Sequence, residues 1–588
     1  MSTIVTKNSS IGLDVLKIGL ILGLLGDVLL RATPWGLNVF LFNLAFVAGF
    51  AVLLWRSSPQ RLNGSAVALM GAQLFFAAMF VCRDSIELRV ADTFAIVAIM
   101  SIQLLPQLQV SQRLAGAFHY VIGFLWSGLS SLFAPVALLL TDVEWSSMPS
   151  SGWRKHTAAV LRGVAIATPL VLIFGGLFVA ADAAYEGMVQ RAFNIDLSMA
   201  FSHALLIGIF AWLSMGYLRG AVINPLGAAN GDMPTEEAPL RVTPETRFSD
   251  VAADTGELPV TLPDDRFVID HLNVSDPPDR ETETQPVESV PDPEDKKWVW
   301  SDVSNSLLPR AFTLGTTEVA VILGAMNLLF LSFVIVQVPY LFGGMELVQT
   351  TPDFKLAEYA RRGFGELVTV SALVLPTLLV GQWLIRKEAA RAQILFKVLA
   401  GTQIALLFVI MGSAVQRLLI LTGSLGYGMT TIRLYPMIFM TWLAVVFVWF
   451  GLTVIRGYRQ YFAWGALWSA FLVLGSTHVL NPDAFIVRTN LALYQSGRQF
   501  DSFYNSELSA DAVPVLLDAM HSLPTDQRCE VGSGIHYRYR QLGQETDLRS
   551  LNYSRRSAWQ LLHDNDAFLH ETQDCPPRFS NEMSGDVE

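Results

Sequence analysis

Eleven side chains in four stretches bring charge or phenol chemistry to the ends of apolar runs. FVAADAAYEG (178–187) carries Asp182 and Glu186, and LAEYARRGFGEL (356–367) carries Glu358, Arg361 and Arg362. SAVQRLLILTGSLGYGMTTIRLYP (413–436) carries Arg417, Tyr427, Arg433 and Tyr435; LNPDAFIVRTN (480–490) carries Asp483 and Arg488. On a helix Glu358 reaches Arg361 and Arg362, and Arg362 also reaches Glu366. Carboxylates and arginines so placed either brace helix ends as ion pairs or hold a polar ligand; the brace is the simpler reading. Residues that would carry a recognisable reaction are missing. There is no GxxxxGK[ST], HExxH, CxxC or GxSxG pattern. His563 and His570 lie seven apart without a metal-site pattern and read as surface histidines. No catalytic residue, metal or cofactor is assigned.

The elements that must position these residues are set by composition. Of 588 residues 52% are hydrophobic and only 15% charged, against roughly 25% charged in soluble domains. A water-soluble body of this composition would lack polar surface, so a conventional soluble enzyme is excluded for most of the chain. A spanning helix needs about 20 apolar residues. The chain offers twelve such segments: 11–30, 36–55, 65–82, 90–106, 116–140, 159–181, 197–218, 314–338, 364–385, 394–413, 435–455 and 461–479. They are apolar all round rather than striped, as lipid-facing helices require. Membrane barrel strands alternate and are about ten residues long. The fold expected is an all-α polytopic transmembrane bundle of about twelve helices with a small soluble helical C-terminal segment. The first segment reads as an uncleaved helix, because Arg31 follows it where a small-residue cleavage site would stand.

Polar residues inside these segments are costly. Asp27 and Arg31 are spaced for an interfacial ion pair, and Glu318 opens a helix whose dipole it complements. His119, His203 and His478 read as hydrogen-bonded interior residues, and Asn327 with Gln337 as an interhelical hydrogen-bonding pair. Gly19, Gly23 and Gly26 give the first helix a face for close packing.

Charge divides the chain. Residues 230–297 hold 18 acidic and 6 basic side chains, residues 481–588 hold 16 and 9, and the remainder holds 17 and 25. Two acidic soluble segments are thus attached to a mildly basic body. The organisation expected is N-terminal membrane helices (1–110), further membrane helices (111–220), an acidic Pro-rich disordered linker (221–300), membrane helices again (301–480) and a soluble segment (481–588). The linker cannot bury enough apolar area to offset its ordering entropy. In the tail, Ser509 reads as the cap of a short helix. Cys529 and Cys575 either pair, if the tail stands outside, or remain two thiols. The acidic segments would repel nucleic acid; the partners expected are the lipid bilayer and an envelope or membrane protein.

Strict alternation of twelve spans puts the loops after the sixth, eighth and tenth on one face with the tail, and the 219–313 linker on the other. It also puts the loops after the first, third, fifth, ninth and eleventh opposite the tail. Lys and Arg in short loops number ten on that opposite face and nine on the tail face. The clusters RKEAAR (386–391) and WRKH (153–156) lean towards a cytoplasmic placement of the opposite face, with both termini outside.

AADAAYEG, GYLRG, FLSFVIVQVPYLFGG, AEYARRGFGEL, GYGMTTIRLY, NPDAFIVRTN and LSADAVPVLL, in that order, resemble the signature of a bacterial polytopic membrane family. That family is catalogued as domain of unknown function 4173, with 4153 relatives. The resemblance covers residues ~160–515, interrupted by the acidic linker. It implies a bacterial cytoplasmic (inner) membrane protein and implies no substrate. Three functional readings follow. The first is a non-enzymatic protein whose polar patch senses or organises something in the envelope. The second is a transporter, and the third a membrane enzyme acting on a lipid-linked substrate. Polarity at the interface rather than the midplane favours the first over transport. The want of a nucleophile or metal cluster disfavours the third.

Overall fold

The computed structural model describes residues 2–143, 197–223, 314–342, 364–385, 390–424, 428–540 and 547–570. The 159–181 segment, the acidic linker, Asp182, Glu186, Glu358, Arg361, Arg362, Tyr427, Cys575 and the Gln337 side chain lie outside the described residues. Among those described the protein is all-α, and ten helices are long and apolar enough to cross a membrane. The membrane body comprises α1 (Ser2–Leu30), α2 (Leu37–Ser57), α3 (Gly64–Cys82), α4 (Ile86–Gln103), α5 (Ala117–Ala137) and α6 (Leu197–Val222). It continues with α7 (Thr316–Phe342), α8 (Phe364–Leu384), α9 (Ala390–Leu419), α10 (Thr431–Phe450) and α11 (Phe462–Leu480). The soluble tail comprises α12 (Pro482–Gln495), α13 (Ser502–Ser506), α14 (Val513–Met520), α15 (Thr525–Arg540), α16 (Tyr553–Asp564) and α17 (Asp566–His570).

Small residues set the closest helix approach. An added Cβ on Gly23 would lie 2.5 Å from the Ala211 Cβ and 2.7 Å from the Ile207 carbonyl, so α1 and α6 meet almost backbone to backbone. In lipid, where apolar burial gives little drive, such packing holds helices together. Arg31 pairs with Asp27 at 3.0 Å, and Asp27 also meets His203 of α6 at 2.6 Å. The expected ion pair thus gains an interhelical partner. Glu318 accepts the Gly315 amide at 3.0 Å and caps α7, while Asn327 donates to the Leu399 carbonyl of α9 at 2.9 Å.

Apolar side chains sort into four neighbouring cores. One lies among α1, α2 and α6, one among α3, α4 and Phe471 of α11, and one among α7 to α11. The fourth is the tail's own, built on Ile486, Val513, Leu516, Met520, Val531 and Ile535, joined by Met429 just before α10 and Leu434 in its first turn. Leu328, Leu329 and Ile335 of α7 face outwards, as a lipid-facing surface requires.

The connections correct the alternation expected from the sequence. Asp14 of α1 pairs with Arg56 at the end of α2 at 3.0 Å, which marks one end of the bundle. Ser65 at the start of α3 bonds Gln112, before α5, at 3.0 Å, so α5 begins at that end. Gly123 packs against Ser101 in the last turn of α4 and Leu105 just beyond it, and a Cβ on Gly12 would lie 2.9 Å from the Asp142 carbonyl. Asp142 also pairs with Arg219, in the last turn of α6, at 2.5 Å. The helix α5 therefore enters and leaves at the same end. One crossing is lost, and α6 runs antiparallel to α1. The loops after α1 and α3 consequently lie on the tail's side, not opposite it, and α1 starts at the end far from the tail. The start of α1 and the described part of the tail do not share a face.

A candidate functional site where the tail meets the bundle

The turn at 31–36 and the turn at 83–85 form a platform on which the tail sits. Asn38 shapes the first: its side chain accepts the Gly36 and Val39 amides at 2.7 and 2.9 Å and donates to the Ala32 carbonyl at 2.7 Å. Gly36 lets the tail close in, since a Cβ there would lie 2.4 Å from the Leu551 carbonyl. That carbonyl accepts the Leu37 amide at 2.9 Å.

At the second turn two aspartates clasp each other's backbone. Asp511 accepts the amides of Asp84 and Ser85 at 2.8 and 3.0 Å, while Asp84 accepts the Ala510 amide at 3.4 Å. Asp511 further accepts from Arg83 at 3.4 Å, from Ser509 at 3.2 Å and from the Ser554 hydroxyl. Its position comes from Ser509, whose side chain accepts the Asp511 amide at 3.3 Å and opens a 3-10 turn, Ala510–Ala512, ahead of α14. Asn552 caps α16 by accepting the Arg555 amide at 3.0 Å. Its side-chain amide donates to the Phe80 and Arg83 carbonyls, each at 2.8 Å. The end of α3 is thereby tied to the start of α16.

The junction's cations are committed. Arg83 donates to the His478 carbonyl at 2.7 Å as well as to Asp511, Arg89 pairs with Asp84, and Arg555 lies 3.6 Å from Asp84. Ser85 donates to Glu87 at 2.9 Å and meets the Tyr435 hydroxyl at 3.2 Å. Beneath, His478 of α11 meets Asp92 of α4 at 2.9 Å with both side chains buried.

Asp483 is the exception. It lies in the first turn of α12, where the chain has just left α11, and is 2% exposed. Its Oδ2 accepts the Ser509 amide at 3.2 Å and meets the Ser509 hydroxyl, while its Oδ1 has no hydrogen-bond partner. Burial pushes its carboxyl up to about 6, against the Ser509 hydrogen bonds, with Asp511 and Glu87 adding like-charge repulsion.

Of the eleven residues singled out in the sequence, the structure brings Asp483 and Tyr435 to this junction. Arg433 donates to the Gly428 carbonyl, Arg417 is buried near the end of α9, and Arg488 is exposed on α12. The residues that make the junction, Arg83, Asp84, Ser85, Ser509, Asp511, Asn552 and Ser554, were passed over, apart from Ser509 as a cap. The RDSIE stretch after α3 and SAD before α14 carried the signal: short polar residues at helix starts, with more acceptors than one cap needs. Among the other sequence-stretch residues, His119 accepts the Gly116 amide at 3.1 Å, His563 stacks on Trp559, and His570 lies 3.4 Å from Asp566. Among the described residues no group of three or more His, Cys, Asp or Glu is arranged to hold a metal. Cys529 is disulfide-bonded, and Cys82 is free and exposed.

Comparison with curated proteins and with solved structures gives no match. The family model described as Domain of unknown function (DUF4153) matches residues 70–245 and 291–519. That family replaces the related 4173 type to which the motifs were likened, and the match starts about 90 residues earlier than the resemblance did, taking in α4 and most of α3. It ends just past Asp511, so both sides of the 84–511 clasp fall inside it. With most of its length matched, this multi-pass helical chain belongs to the DUF4153 family.

Proposed function

We propose that this is a non-enzymatic protein of the bacterial cytoplasmic membrane, and that its tail, docked on the outer face, senses or organises something in the envelope. The observation that carries the reading is the use made of the junction's polar groups. Asp511 spends its oxygens on backbone amides, hydroxyls and Arg83, which is how a joint is built. A catalytic carboxylate would be held ready for a substrate. The disulfide at Cys529 supports an outward tail, because disulfides persist in oxidising compartments. The corrected topology moves Arg31, Arg83 and Arg89 to the tail's face and Arg56, Arg61 and Arg113 to the opposite one, three for three, so it leaves the balance of short-loop cations unchanged. The RKEAAR cluster, which the sequence alternation puts opposite the tail, supports a cytoplasmic placement of that face. The partner in this reading is an envelope or membrane protein.

The test is Asp511→Asn with Ser554→Ala in the native host, scored as phenotype at matched protein abundance. Loss of function with unchanged accumulation favours a functional joint; normal function with a loosened tail contradicts it.

One observation favours transport as the second reading. Gln403, midway along α9, is fully buried with neither side-chain polar atom partnered, and the Asn327 Oδ1 is likewise unpartnered. Unpaired polar groups at bilayer depth are costly unless a solute or water meets them. Gln403→Leu separates the readings: a transporter loses function, whereas a tail-operated protein keeps it and becomes more stable.

A further inference from the structure

Ser509 Oγ touches carboxylate oxygens of both Asp483 and Asp511, yet a hydroxyl has one hydrogen to give. A second hydrogen must come from one of the acids. Asp511 has two backbone amides and Arg83 as further donors. Asp483 has only the Ser509 amide besides, an unpartnered Oδ1, and no cation. Around it, the turn at 510–512 presents Asp511, α4 presents Glu87, and the α10 and α13 phenols Tyr435 and Tyr504 also feel its charge. The remaining charged groups nearby are engaged elsewhere: Arg83 on Asp511, Arg89 and Arg555 on Asp84, and His478 on Asp92. An ionised Asp483 would be a buried negative charge beside the buried Asp511 and the half-buried Glu87.

We propose that Asp483 is a proton-operated latch: as the neutral acid it closes the tail onto the 83–89 face, and on ionising it releases it. This deepens the sensing reading above, on which it rests, and names the sensed ligand as the proton. In the closed state Ser509 donates to Asp511 while the Asp483 acid supplies the hydrogen between Asp483 and Ser509. Loss of that proton leaves two buried carboxylates competing for one hydroxyl.

The sign follows from the raised carboxyl, about 6 when closed against its ordinary 3.8. The closed state binds the proton more tightly, so closure is favoured most at low pH. That advantage falls away as pH rises through roughly 4 to 6 and is gone above it. Two units of difference bias the opening equilibrium by on the order of 100-fold.

The test is hydrogen–deuterium exchange of the full-length protein in lipid nanodiscs, at about pH 5 and about pH 7.5, expressed as protection factors. Residues 502–535 and 553–564 of the wild type are expected to lose roughly 10-fold of protection at the higher pH. Asp483→Asn, neutral at both, is expected to stay protected at both. A wild type without the pH effect, or an Asp483→Asn protein that keeps it, overturns the latch. Should Asp483→Asn fail to accumulate, Glu87→Gln serves. Removing that like charge lowers the Asp483 carboxyl and moves the opening midpoint to lower pH, and an unmoved or raised midpoint overturns the proposal. A pH-independent Asp483→Asn protein with normal phenotype would keep the latch and refute the sensing reading instead.

Discussion

Asp511 accepts the backbone amide of Ser85 at 3.0 Å across 426 residues of chain. The amide belongs to the turn that ends α3 and begins α4, and the carboxylate to the 3-10 turn ahead of α14. This contact, with its neighbour to Asp84, makes the tail part of the membrane body's surface instead of a domain on a tether. It also requires that α3 end on the tail's side, which holds only because α5 does not cross.

The buried pair of His478 and Asp92 joins α11 to α4, at 2.9 Å. Removing one partner leaves the other desolvated, so His478→Ala is expected to destabilise by about 3 kcal/mol. Asp92→Asn with His478→Gln should cost at least ~1 kcal/mol less than the two changes summed. Reversible unfolding in mixed micelles measures both; full additivity would show two independent residues.

The α1–α6 approach predicts a steric cost. Gly23→Ala places a Cβ 2.5 Å from that of Ala211, so the helices must part, costing roughly 1–3 kcal/mol. Gly71 has open space around the same position of an added Cβ, and Gly71→Ala should change stability by no more than about 0.5 kcal/mol. Thermal denaturation of the two variants side by side checks the contrast, and equal effects would refute the close packing.

Orientation can be read from a native thiol. Cys82 is free and exposed at the end of α3, where the Ser554 hydroxyl lies 2.9 Å from its carbonyl. A membrane-impermeant maleimide added to intact cells is expected to label it. Labelling only after permeabilisation would put the tail inside and would contradict the outward reading of the Cys529 disulfide.

The helices were legible because apolar length is a strong signal: every expected span within the described residues is helical, including the short 90–106 segment, seen as Ile86–Gln103. Their direction was not legible. A 21-residue apolar helix such as α5 has the composition of a span whether or not it crosses, and the contacts that hold both its ends at one side, from Gly12, Ser65, Ser101 and Arg219, come from other parts of the chain. The junction was half legible for the same reason. Asp483 and Tyr435 stood out beside a Pro and beside glycines. Asp511 and Asp84 looked like ordinary helix-start residues, because a sequence shows which groups can cap but not which distant amides they will meet.

The central claim is that the tail is held on the bundle by the Asp511 clasp at 83–85. Hydrogen–deuterium exchange of Asp511→Ala in nanodiscs near pH 5 tests it most directly. Leaving the Asp84 and Ser85 amides and Arg83 without their acceptor should weaken docking by about 3 kcal/mol. The account predicts that the 83–89 turn and the 553–564 helix lose protection together, by on the order of 100-fold, while α7 and the middle of α9 do not change. Protection lost in the 509–520 stretch alone, with the turn and α16 unaltered, would contradict it.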